Sequence, residues 1–133
     1  MRTKTLLIAA VVCLTVATRA PSEIRFASKT GSDEYPYRSW ETAANSIQTA
    51  VHAADGGDIV AVGPGEYVEQ VTLKDGMVLA GSSPDLTIIR QPEGADYVIS
   101  GATRVEIRNL TVLGATESPE DPWDSYTKGI LLT

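Results

Sequence analysis

The stretch from Ser39 to Glu69, SWETAANSIQTAVHAADGGDIVAVGPGEYVE, decides the fold. Its apolar positions Trp40, Ala43, Ala44, Ile47, Ala50, Val51 and Ala54 recur at spacings of three and four, which places them on one face of a helix. Asn45, Gln48, Thr49 and His52 fall on the opposite face. Ser39 is the expected N-cap, Glu41 suits the positive end of the helix dipole, and Gly56-Gly57 is the expected left-handed stop. Ile59 to Val62 is then a continuous apolar run, the pattern of a strand buried on both sides. Gly63-Pro64-Gly65 forces a turn, and Tyr67 to Leu73 alternates as one further strand.

Working outward, Ile24 to Ala27 is a short strand upstream, followed by a turn at Thr30 to Asp33 and an extended segment at Pro36. Downstream, strands are expected at Met77–Ala80, Thr87–Ile89 and Tyr97–Ile99. A further pair runs through Val105, Ile107, Leu110, Val112 and Leu113, kinked near Asn109, and one more strand opens at Gly129–Leu132. Lys74-Asp75-Gly76, Gly81 to Pro84 and Pro92 to Gly94 are turns between them. The strands follow too closely for helices to intervene, so βαβ units are excluded after Gly57. A β-sandwich would want longer strands and two-residue hairpins such as Asn-Gly, which the chain lacks. Short strands with glycine-rich corners fit a β-solenoid. Val78-Leu79, Val98-Ile99 and Ile130-Leu131 align at separations of 20 and 32 residues, with a polar insertion from Ala115 to Lys128 inside the second.

Residues 1–20 read as a secretory signal peptide: Arg2 and Lys4, then an apolar core from Leu6 to Ala17 that is too short to span a bilayer. Cleavage is expected after Ala20 or Ala17. Val11 and Val12 before Cys13 argue against a lipoprotein. The expected location is therefore outside the cytoplasm: secreted, periplasmic or on the cell surface. Cys13 leaves with the signal, so residues 21–133 have no disulfide to hold them. Arg2, Lys4 and Arg19 leave as well, which takes the net charge from −6 to −9. That balance argues against nucleic acid and anionic membranes as partners and permits calcium.

Candidate site residues are few. Glu117, Glu120, Asp121 and Asp124 offer hard oxygen ligands for calcium, although their spacing matches no calcium loop and lacks a central glycine. Trp123 and Tyr126, in the same insertion, suit stacking on a sugar ring. Arg104 and Arg108, if they share an outward strand face, could grip uronic-acid carboxylates, and Arg90 is a third cation of this kind. Glu66 and Glu69 point to opposite faces of a strand and do not converge for acid–base work, so they read as surface or corner residues. His52, the single histidine, reads as a solvated helix residue. Asn109 is expected at an internal corner, satisfying backbone groups between coils. No residue is assigned a catalytic role.

Lys29-Thr30-Gly31-Ser32-Asp33, Trp40, Ile47-Gln48, Ala50-Val51, Gly57-Asp58-Ile59-Val60, Gly63-Pro64-Gly65-Glu66-Tyr67 and Glu69 together resemble the start of the pectin-lyase-like right-handed parallel β-helix superfamily. Gly81, Thr87-Ile88-Ile89, Val105 to Val112 and Gly129-Ile130 resemble its coil repeats. The resemblance covers Ile24 to Thr133 and is specific for fold rather than activity. It implies an all-β solenoid with an amphipathic capping helix, carrying the N-terminal coils of a secreted protein that degrades or binds uronate-type polysaccharide. A non-catalytic surface or adhesive module is the alternative. Enzymes of the superfamily carry their chemistry on outer faces of central coils, downstream of a segment like this one. Further coils or a capping partner are therefore expected to cover the apolar edge left at Leu132.

Overall fold

A computed structural model describes residues 20–101, 103–114 and 130–132. The proposed signal segment up to residue 19, and residues 115–129 with the insertion Ala115 to Lys128, lie outside the described residues. Among those described, no helix is long and apolar enough to cross a membrane. The elements are β1 (Ile24–Ala27), α1 (Ile47–Ala53), β2 (Ile59–Val62), β3 (Gly65–Val68), β4 (Val71–Thr72), β5 (Val78–Gly81), β6 (Thr87–Arg90), β7 (Ile99–Gly101), β8 (Glu106–Arg108), β9 (Thr111–Leu113) and β10 (Ile130–Leu132). Among the described residues the regular elements are thus strands in the main, with one short helix.

The strands form three sheets, ordered β1-β2-β5-β8, β3-β6-β9 and β4-β7-β10, and every strand pairing within them is parallel. The chain visits the three sheets in one order, three times over. Register stacks like on like: Val60, Leu79 and Ile107 form one inward column, and Tyr67, Ile89 and Val112 another. Val71 and Ile99 begin the third. These columns and the buried residues of α1 make a single apolar core.

The expected strands are present, except that the one at Tyr97–Ile99 meets β7 only at Ile99, and with three corrections of phase. The alternating run Tyr67 to Leu73 is two strands in two sheets, because the chain turns at Glu69-Gln70. Val78 and Val98 are not equivalents, since β5 and β7 belong to different sheets. Ile130 pairs with Ile99 rather than Val98, a shift of one residue. An unbroken apolar doublet carries no phase, so sequence alignment could not set that register. In β2, Val60 and Val62 are buried while Ile59 and Ala61 are only partly so, which is alternation rather than burial on both faces.

The helix is shorter than its pattern. It begins at Ile47 with Ser46 as N-cap, not at Ser39, and has no acidic residue in its first turn. Ser39 and Thr42 instead tie off their own turn: each side-chain oxygen accepts from the other's backbone N–H, at 3.2 and 3.3 Å. Ala43 and Ala44 then run alongside β1, where Ala44 N–H donates to Phe26 O (2.9 Å) and Ser28 N–H donates to Ala44 O (2.8 Å). The apolar residues at 43 and 44 thus cover the free edge of β1 instead of forming a helix face. The helix ends on Ala54 in an extended conformation, and Gly57 (φ 89°) serves the following turn closed by Asp58 N–H on Asp55 O.

A helix of 7 residues is marginal by itself. Three distant side chains hold it. The Glu69 carboxylate accepts from Ser46 Oγ, Ile47 N–H and Gln48 N–H at 3.1, 3.2 and 2.8 Å, so a full negative charge sits on the N-terminal amides. At the other end Arg25 Nε donates to Ala53 O (3.1 Å), and Lys74 Nζ donates to the carbonyls of His52 and Ala54. Arg25 is buried for this purpose. Within β1 it points inward with Ala27, while Ile24 remains exposed.

Candidate functional site

Trp123, Tyr126, Glu117, Glu120, Asp121 and Asp124 lie outside the described residues. Among the described residues no group of three or more His, Cys, Asp or Glu side chains is arranged to hold a metal ion.

The two arginines expected to share a strand face do not. Arg104 stands in the turn before β8 with φ 58°, and only Arg108 is on the strand. Arg108 is 3.4 Å from Glu106, and Arg90 is paired with Glu66 on the neighbouring strand. Both guanidinium groups are thereby partly neutralised by carboxylates of this chain, and an incoming uronate would have to compete with them. Glu66 is a surface residue as expected. Glu69 stands at the corner between β3 and β4, the other expected place, and from there it acts as the helix clamp described above. His52 is exposed, in keeping with a solvated residue. Asn109 is exposed on a turn with φ 56° rather than stacked at an internal corner. Its carbonyl lies so close to Gly81 that a Cβ there would force it to shift.

A hollow of about 440 Å³ adjoins Glu23, Arg25, Arg38 and Asp58, but its carboxylates are already engaged within the chain. Asp58 Oδ1 accepts from Glu23 N–H (2.9 Å) and Oδ2 from Asp55 N–H (2.8 Å). Glu23 Oε2 lies 2.6 Å from Arg25 Nη1, though not aligned for a hydrogen bond, and 3.1 Å from Arg38 Nη2. Arg25 and then Arg38 hold the Glu23 carboxyl below its usual range. Glu41 is also held low, by its own N–H and the Ser39 hydroxyl. Both shifts run opposite to what a proton-donating catalytic acid needs.

A different recess, about 320 Å³ in volume, is lined by Ser28, Thr30, Trp40, Gly63, Pro64 and Ser82. Sequence reasoning missed it, because Trp40 fits the helical spacing and so reads as core. In fact Trp40 is 47 % exposed and stands edge-on to Phe26, with ring centroids 4.7 Å apart. The other walls come from the loop after β1, the corner between β2 and β3, and the corner after β5. A Cβ on Gly63 would lie 3.3 Å from both Ser28 Oγ and Trp40 Cζ3, so the bare backbone of Gly63 leaves this floor open.

No protein-family model matches this chain, and neither a curated protein nor a solved structure matches it.

Proposed function

We propose that this chain forms the first turns of a secreted right-handed parallel β-helix of the pectin-lyase-like kind, which binds or degrades polysaccharide of the uronate type. The observation that supports it is the threefold visit of the chain to three parallel sheets in fixed order. Right-handedness follows from the general hand of parallel crossovers. Such a stack presents its outward side chains in regular rungs, a surface suited to an extended glycan. The inward residues of the last described turn, Val105, Ile107, Leu110 and Val112, are only partly buried, which favours further coils or a capping partner above them.

A non-catalytic binding or adhesive module is the second reading, favoured by the low carboxylates at Glu23 and Glu41 and the paired arginines at 90 and 108. One assay separates the two. The protein is incubated with polygalacturonate and alginate, with calcium and with chelator. Retardation in an affinity gel and release of unsaturated or reducing ends are both followed. Cleavage establishes the enzyme; retardation without cleavage establishes the module; neither, with neutral glycans also inert, overturns the glycan reading.

A further inference from the structure

We infer that the recess at Trp40 is a docking site for one neutral sugar ring of a glycan chain. The inference rests on the reading above only in that the ligand is a glycan, and it takes a neutral ring where that reading takes uronate. About 300 Å³ is the lower end for ligand pockets, enough for a single ring. None of the six lining residues carries a charge. The nearest lysine in sequence, Lys29, has its Nζ 4.7 Å from the centre of the Tyr67 ring instead. A phosphate, a carboxylate or a metal cation would find no opposite charge in this lining.

What the lining does offer is an aromatic plane beside hydroxyl groups. The apolar C–H face of a pyranose stacks on such a plane while its hydroxyls reach sideways. Trp40 is held by Phe26 yet lies outside the apolar core, so its exposure serves no packing purpose. The hydroxyl inventory fits the same ligand. Ser82 Oγ donates to Val62 O (3.1 Å) and keeps lone pairs to accept with. Ser28 and Thr30 share one hydrogen bond at 3.1 Å, so whichever donates in it, the other hydroxyl keeps its proton free. The recess therefore presents both donor and acceptor capacity, which is what sugar hydroxyls require.

The test follows the two indole N–H resonances, of Trp40 and Trp123, in ¹⁵N-labelled protein, assigned by W40F and W123F. The probes are β-1,4-linked gluco- and galacto-hexaose and hexagalacturonate. Saturable movement of the Trp40 signal with a neutral hexaose is expected, with binding weakened on the order of tenfold or more in W40A. In T30V and S82A, which keep the aromatic plane, a smaller weakening is expected. Movement of Trp123 alone, or of Trp40 only with hexagalacturonate, overturns this site while the glycan reading stands. If neither indole moves, the site is overturned, and the affinity gel then decides whether the glycan reading falls with it.

Discussion

The two ends of this stack are built from the same inward pattern, yet they differ in kind. At the end next to α1, Val60, Val62, Tyr67 and Val71 are buried, since β1 pairs alongside β2 and α1 packs against β2 and β4. Two turns on, Ile107 and Val112 occupy equivalent positions in the columns and are only half-buried. The difference shows that an inward-facing apolar residue in a stack of turns gains full burial only when material lies on both sides of its turn. The sharpest way to break this comparison is to truncate one column at two heights. Leu79→Ala, in the middle of its column, is expected to cost about 2–5 kcal/mol. Ile107→Ala, directly next to it in the stack, is expected to cost about 1–2 kcal/mol, because a partly exposed site leaves no sealed cavity. Urea unfolding of the two variants decides it. Equal losses would mean that the last turn is as well covered as the middle one.

Two glycines extend the contrast. An added Cβ on Gly31 would intrude on the Ala43 carbonyl and lie 2.7 Å from Ala43 Cβ. On Gly81 it would intrude on the Asn109 carbonyl and lie 2.8 Å from Leu110 Cβ. The intrusion is the same, but Ala43 is fully buried with its carbonyl held by Asp33 N–H, while Asn109 sits on an exposed turn that can yield. Gly31→Ala is expected to cost about 3 kcal/mol and Gly81→Ala nearer 1 kcal/mol. Thermal melts of both proteins check the order. A reversal would show that the last turn is the rigid one.

Glu69 tests what makes the covered end a cover. Its three hydrogen bonds reach a helix that begins 22 residues earlier in the chain, at Ile47. Glu69→Ala is expected to cost about 2 kcal/mol and to loosen α1 before the sheets. Faster amide exchange at Ile47 and Gln48, with the core of β5 still protected, is the expected signature. Uniform loss of protection would mean that helix and sheets melt as one unit.

What could be read from the sequence divides along the same line. Strands, corners and the parallel class were legible because alternation and glycine are local signals. The cover was misread because its logic is not local. Ala43 and Ala44 have helical spacing, but small side chains also suit a segment pressed against a sheet edge and against Gly31. Glu69 resembles an ordinary surface acid until the fold brings Ser46 to it. Arg25 sits between two apolar neighbours, Ile24 and Phe26, and alternation assigns it to solvent. Only the helix C-terminus overhead makes the interior its place. Trp40 was hidden by the same false helical phase, and with it the recess. The acidic insertion and its aromatic residues lie outside the described structure, so that part of the candidate site rests on sequence.

The smallest expected effect concerns the one polar group in the Tyr67 column. Tyr67 is fully buried, and its hydroxyl donates to Gly63 O at 3.0 Å. Its neighbours along the column, Ile89 and Val112, carry nothing that titrates. Burial raises the Tyr67 pKa above the ordinary value of 10.0, the Lys29 backbone opposes that shift, and the Glu69 charge adds to it. A raised pKa means that the folded state holds the phenol proton more tightly than the unfolded chain does. The resulting stability is fully present below about pH 10 and is lost as pH rises through the folded-state value. Tyr67→Phe is expected to flatten this alkaline loss in urea midpoints measured from pH 8 to 11. At neutral pH it should cost only about 1 kcal/mol, because Thr87 Oγ1 also donates to Gly63 O (3.3 Å) and leaves that carbonyl a partner. An alkaline loss that persists unchanged in Tyr67→Phe would place its origin in other groups. The covered end would then owe its stability to apolar burial and the helix clamps, with no titrating contribution from its buried phenol.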